Sequence, residues 1–109
     1  GPTGRRETTN GQEGGVMKLI HHEDGAHGWV EFSVNDLSKY GLSLKDFSSY
    51  SYIDKEKDLI YLEEDCDAGI IIDALKSKNI TFTIQSVFTK HQGQPSYNPI
   101  RRLPQLGDE

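Results

Sequence analysis

The chain has one cysteine, one methionine and one tryptophan in 109 residues. A single thiol cannot form an intramolecular disulfide, so stability must come from packing and hydrogen bonds, and a reducing compartment is the default. No apolar run approaches the roughly 18 residues that span a bilayer, and no signal-peptide apolar region follows the N-terminal arginines. These absences predict a soluble protein of the cytoplasm with no membrane contact. Positive charge is also scarce: Lys and Arg number 12 against 17 Asp and Glu, a net charge of −5. Affinity for nucleic acid rests largely on cations that neutralise phosphates, so a nucleic-acid partner is disfavoured. Glycine-rich phosphate loops, zinc knuckles and nucleophile elbows are missing.

Hydrophobic residues make up 34% of the chain, and the shortfall is concentrated at the ends. Residues 1–15 carry no aliphatic or aromatic side chain. Gly1-Pro2 resembles a protease-cleavage remnant, and residues 1–16 read as a vector-derived leader, expected to be disordered, with Met17 the native start. Residues 17–90 read as one domain and 91–109 as an extended tail with three prolines, from which Tyr97, Ile100 and Leu103 can dock on a sheet. Lys18 to His22 predicts a short strand, and HHEDGAHG (His21 to Gly28) a loop. Val30, Phe32 and Val34 alternate with Trp29, Glu31 and Ser33, as a strand does. Asn35 is placed to cap a short helix that Gly41 stops, and Ser43 with Asp46 forms a capping-box pattern. Tyr50–Ile53 and Asp58–Glu63 flank a charged turn, as in a hairpin. Ala68, Ile71, Ile72 and Leu75 give the main helix its apolar stripe, with Asn79 at its left-handed stop. Ile80, Phe82 and Ile84 then alternate inward along a last strand. The sum is an α+β domain, a mostly antiparallel sheet of about five strands with one helix packed on one face.

The stretch from Leu59 to Leu75 ties these elements together, because a strand there runs into the acidic cluster Glu63, Glu64, Asp65 and Asp67 and turns at once into the helix. The carboxylates admit three readings. Asp65 or Asp67 can cap the helix, where negative charge also suits the dipole. The cluster can meet a basic partner, or serve as acid, base or hard metal ligand. Cys66 sits among these carboxylates, which oppose a thiolate, so a cysteine hydrolase is disfavoured. His21, His22 and His27, with Glu23 and Asp24, are the densest group of metal-capable residues, although adjacent histidines on a strand point to opposite faces. Trp29, Tyr50, Tyr52 and Tyr61 supply aromatic surface, and Trp29 lies on the polar side of its strand, where exposure is expected. Arg101-Arg102 can hold a phosphate or carboxylate, or pair with the acidic turn.

Three segments, MKLIHHEDGAHGWVEF, SSYSYIDKEKDLIYLEEDCDAGIIIDALKSKNI and YNPIRRLP, carry a resemblance that covers most of Met17 to Pro104. Together they resemble a family of short proteins borne by bacteriophages, prophages and plasmids, with the pattern HGW, YSY, YLEEDCDA and IRRLP. YLEEDCDA is the most specific piece. The resemblance implies a mobile-element source and a bacterial host cell but no reaction. The leading expectation is non-catalytic binding to a host protein, for instance a defence component, through Glu63, Glu64, Asp65, Asp67, Trp29, Tyr50 and Tyr52, with no cofactor. The alternative is a small metal-dependent hydrolase or nucleotide-binding protein, in which His21, His22 and His27 approach the acidic turn and hold a transition metal. A nucleic-acid mimic is disfavoured, since 15 acidic residues against 10 basic ones after Met17 make no large field of one sign.

Overall fold

The computed structural model describes residues 15–89 and 98–108. Residues 1–14 of the expected leader, and Tyr97 of the expected docking segment, lie outside the described residues. Five strands form one sheet: β1 (Met17–Glu23), β2 (Gly28–Ser33), β3 (Tyr52–Asp54), β4 (Leu59–Glu63) and β5 (Phe82–Phe88), in the order β3-β4-β2-β1-β5. All neighbours are antiparallel except β1 and β5, whose register runs in parallel from Met17↔Phe82 to Glu23↔Phe88. One α-helix, α1 (Ala68–Ser77), connects β4 to β5 and packs on the sheet. The domain is therefore α+β with a mixed, mostly antiparallel sheet.

The period-2 patterning decides the two faces. Register pairs His21↔Val30, Val30↔Leu62 and Ile53↔Ile60 put Leu19, Val30, Phe32, Ile60, Leu62 and Ile53 on the side of α1. There they meet Ala68, Ile71 and Leu75 in one cluster, with Phe32, Ile60, Leu62, Ile71 and Leu75 wholly buried. Burying each such side chain contributes about 1.5–3 kcal/mol, so this seam carries most of the stabilisation. Ile72 is only half-buried. The helix ends where Asn79 adopts φ 59°, the left-handed conformation an Asn tolerates.

Other local signals hold with adjustments. Val34–Tyr40 is a 3-10 helix that begins after Ser33, so Asn35 lies inside it, and Gly41 (φ 72°) stops it. The Ser43–Asp46 capping box is present around Leu44–Asp46. Asp54 Oδ1 accepts the Glu56 and Lys57 N–H groups, which bends the β3–β4 hairpin, and Asp58 closes it at φ 55°.

Two features of the sheet were not legible. Residues Asn98–Asp108 close off β3: the Ile53 N–H donates to the Pro104 carbonyl at 2.9 Å, the Leu106 N–H to that of Ser51 at 2.9 Å, and Leu106 enters the main core. At the other margin the inward alternation expected of Ile80, Phe82 and Ile84 holds for the first two, which pack against the core, and fails at Ile84, which is 46% exposed. The helix covers the middle of the sheet, and β5 beyond Phe82 lies outside the core cluster.

Candidate functional site

On the sheet face opposite α1, β2, β3 and β4 set Trp29, Tyr52 and Tyr61 side by side, Trp29 and Tyr52 meeting edge-on at 6.0 Å between ring centroids. The 3-10 turn Pro99–Arg102 lies over them, with Ile100 buried and Leu103 packed alongside. That is the docking expected of these two residues. Trp29 is accordingly buried, at 2% exposure, which corrects the expected exposure of this side chain. The sequence placed it on the polar side of its strand, but that side has a cover of its own.

The cover is held by Asp24. This carboxylate is wholly buried and accepts N–H donors from Ala26 and His27 at 3.1 Å, the Asn98 amide at 2.9 Å and a bidentate Arg101 fork at 2.7 and 3.2 Å. Burial opposes its charge, but the Arg101 guanidinium, Asn98 and the two backbone donors outweigh that and hold the carboxyl well below the usual carboxylate range. The guanidinium also lies 5.0 Å from the centroid of the Trp29 ring. Arg101 thus pairs with the histidine loop and not with the acidic turn. The signal available in the sequence was Asp24-Gly25, a dipeptide whose side chain bends its own loop, but nothing in it named Arg101 as the partner.

The four carboxylates of the acidic turn have divergent roles. Glu63 is nearly buried and accepts the N–H groups of Asp65 at 2.9 Å and Cys66 at 2.7 Å, so it organises the turn that leads into α1. Asp67 is the residue before the helix, yet its carboxylate makes no cap bond to α1. It accepts instead from the Ser48 N–H at 3.1 and 3.0 Å, from the Ser48 hydroxyl at 2.8 Å and from the Ser51 hydroxyl. Being 2% exposed and fully engaged, Asp67 is withdrawn from any recognition surface, as the Ser48-Ser49-Tyr50-Ser51 loop folds over it. Glu64 is exposed and bonds His21 Nε2 at 2.9 Å. Asp65 alone stands exposed without a side-chain bond of this kind.

Trp29, Tyr50, Tyr52, Glu63 and Asp65 converge on one hollow of about 400 Å³, which His27, Cys66, Arg101 and Gln105 complete. Tyr50 stands on it 62% exposed, the Trp29 indole Nε1 is buried with no acceptor among the described residues, and Glu64 and Asp67 do not line it. The Cys66 thiol, though exposed, is pushed up, first by a hydrogen bond to Glu63 and then by slight desolvation and the charges of Glu63, Asp67 and Asp65. It is held as a protonated, poorly nucleophilic group.

The histidines are dispersed. His21 meets Glu64 and lies 3.3 Å from Ser86 Oγ, His22 bonds Glu31 at 2.8 Å on the opposite face, and His27 sits at the hollow. Among the described residues no group of three or more His, Cys, Asp or Glu side chains is arranged to hold a metal ion. Nor is any helix among them long and apolar enough to cross a membrane. No family model, curated protein or solved structure matches this chain.

Proposed function

We propose that the protein is a non-catalytic binding module of a mobile element, and that the Trp29–Tyr50–Tyr52 hollow receives a basic or aromatic side chain of a bacterial host protein. The exposure of Tyr50 beside Asp65, above a hollow floored by aromatic rings, is the observation that carries this reading. Tyr is enriched at binding hot spots because it supplies rigid apolar area with a polar tip. Arg101 brings a positive charge into the hollow, but Asp24 neutralises it. Glu63 and Asp65 then set the local sign, which favours a cationic visitor and steers its approach. A 400 Å³ hollow has room for an anchor side chain, not for a folded segment. The mobile-element source and host partner rest on the sequence resemblance.

The burial of Glu63 and Asp67 moves the test outward. Tyr50→Ala and Asp65→Lys should each abolish capture of a host protein from a bacterial lysate while leaving the thermal melt unchanged. Glu64→Lys, outside the hollow, should not. Capture that survives both Tyr50→Ala and Asp65→Lys would place the contact elsewhere.

A further inference from the structure

The two margins of the sheet differ. Backbone bonds from Pro104 and Leu106 occupy the β3 margin, whereas among the described residues β5 has β1 on one side only. A sheet edge presents a row of backbone donors and acceptors, and proteins protect such edges with charged side chains, proline, bulges or very short strands. β5 uses none of these. It runs seven residues in unbroken register, and Thr81 to Thr89 contains no ionisable side chain and no proline. It also exposes Ile84 at 46%, Val87 at 40% and Phe88 at 63%. We infer that this edge is the contact between two copies of the chain, paired antiparallel about a two-fold axis at Gln85.

The hydrogen-bond pattern gives the register. Thr81 offers its carbonyl to Met17, and Thr89 its N–H to Glu23, so the odd-numbered residues of β5 point their backbone groups toward β1. Those of Phe82, Ile84, Ser86 and Phe88 therefore point outward. Centring an antiparallel pair on Gln85 sets Phe82 opposite Phe88 of the partner and Ile84 opposite Ser86, so that every outward donor meets an outward acceptor. The same register joins apolar groups: half-buried Phe82 and exposed Ile84 and Phe88 of both copies share the α1 side of the combined sheet, and Thr83 meets Val87 on the other side. Cross-strand aromatic pairs of this kind add stability beyond the ladder itself.

A second copy suits this edge better than the chain's own remaining segments. Residues 90–97 have to join Thr89, which bonds Glu23, to Asn98, which bonds the adjacent Asp24. Out and back, they reach roughly 13 Å, against roughly 23 Å for the seven-residue edge. Residues 1–14 have no aliphatic or aromatic side chain with which to cover Ile84 and Phe88. Charge agrees: a chain of net charge −5 repels its copies, and the neutral β5 run lets two meet with no like charges opposed. Because the β3 margin is closed, the pairing ends at two copies and builds no filament.

Sedimentation of the full chain over a concentration series tests this. A dimer that dissociates on dilution is expected, with Ile84→Lys and Ser86→Lys both monomeric and still folded. In a Cys66→Ser background, Gln85→Cys should form an intersubunit disulfide under mild oxidation, because the two-fold brings its Cβ atoms to roughly 4.5–5.5 Å. Thr83→Cys should not. A wild-type monomer up to about 1 mM, or a dimer that persists in both lysine variants, would overturn the inference. Absence of the Gln85 cross-link would overturn the register. Neither result bears on the Tyr50 hollow, which lies toward the other margin of the sheet.

Discussion

Replacing Arg101 by Met should be among the most damaging single changes in the protein. Methionine keeps apolar contact over Trp29 but leaves the Asp24 carboxylate wholly buried with only Asn98 and two backbone N–H groups as donors. Breaking a buried ion pair from one side costs about 3–5 kcal/mol, a large share of the about 5–15 kcal/mol that holds a domain of this size together. Trp29, the sole tryptophan, sits beneath the guanidinium and reports unfolding directly. In a urea titration read by its fluorescence, with a slope of about 1–3 kcal/mol per molar, the midpoint should fall by roughly 1–5 M. The effect should depend on pH with a fixed sign. The folded-state pKa of Asp24 is depressed, so in the wild type its contribution is present above the unfolded value of about 3.9 and is lost as pH falls below it. The variant has less of this contribution to lose, so the gap between the two proteins should narrow under acid. Asp24→Asn combined with Arg101→Met should cost less than the sum of the single changes. A loss under about 1 kcal/mol, or a gap constant from about pH 7 to pH 3, would refute the assignment of Asp24 and Arg101 as a buried, coupled pair.

Asp67→Ala should cost about 2–4 kcal/mol by chemical denaturation, since it strands the Ser48 N–H and two hydroxyls. Asp65→Ala, two positions away and exposed, should stay within about 0.5 kcal/mol. Tyr61 is pushed up to about 12 by burial and then by the charges of Glu31 and Asp54. Ultraviolet titration should find it ionising last, and the stability it lends, complete below about pH 10, should fade as pH rises toward 12. The thiol of Cys66 should alkylate more slowly at pH 8 than that of an unstructured peptide, and Glu63→Gln should speed it; equal rates would contradict the Glu63 contact.

Periodicity carried most of the fold. Alternation at Val30 and Phe32, the stripe at Ala68, Ile71 and Leu75, and stop signals at Gly41 and Asn79 are local and survive packing unchanged. The convergence of Trp29, Tyr50, Tyr52, Glu63 and Asp65 was legible too, because all belong to the strand β2, the β3–β4 hairpin or the segments flanking it. What escaped depends on distant partners. Asp24 and Arg101 lie 77 positions apart, and His21 and Glu64 lie 43 apart, so no spacing rule links them. Asp67 departed from the expectation for the same reason, since a serine loop 16–19 residues upstream takes its carboxylate inside, whereas Glu63 is held by the N–H groups of its own turn. Ile84 shows the limit of alternation, which gives a face but not whether anything covers it.

The parallel pairing of β1 with β5 has a temporal side. Met17 is joined to Phe82, and among the described residues no nearer segment substitutes for it on that flank of β1. At ribosomal speeds of about 5–20 residues per second, the first strand waits roughly 3–13 s before its neighbour emerges. Hairpins β1–β2 and β3–β4 can assemble during that delay, but the last strand to join is the one without an ionisable side chain. Newly made chains at high expression are therefore most exposed to mispairing in that interval, and a lower expression level, which keeps such chains apart, should improve the yield of folded protein.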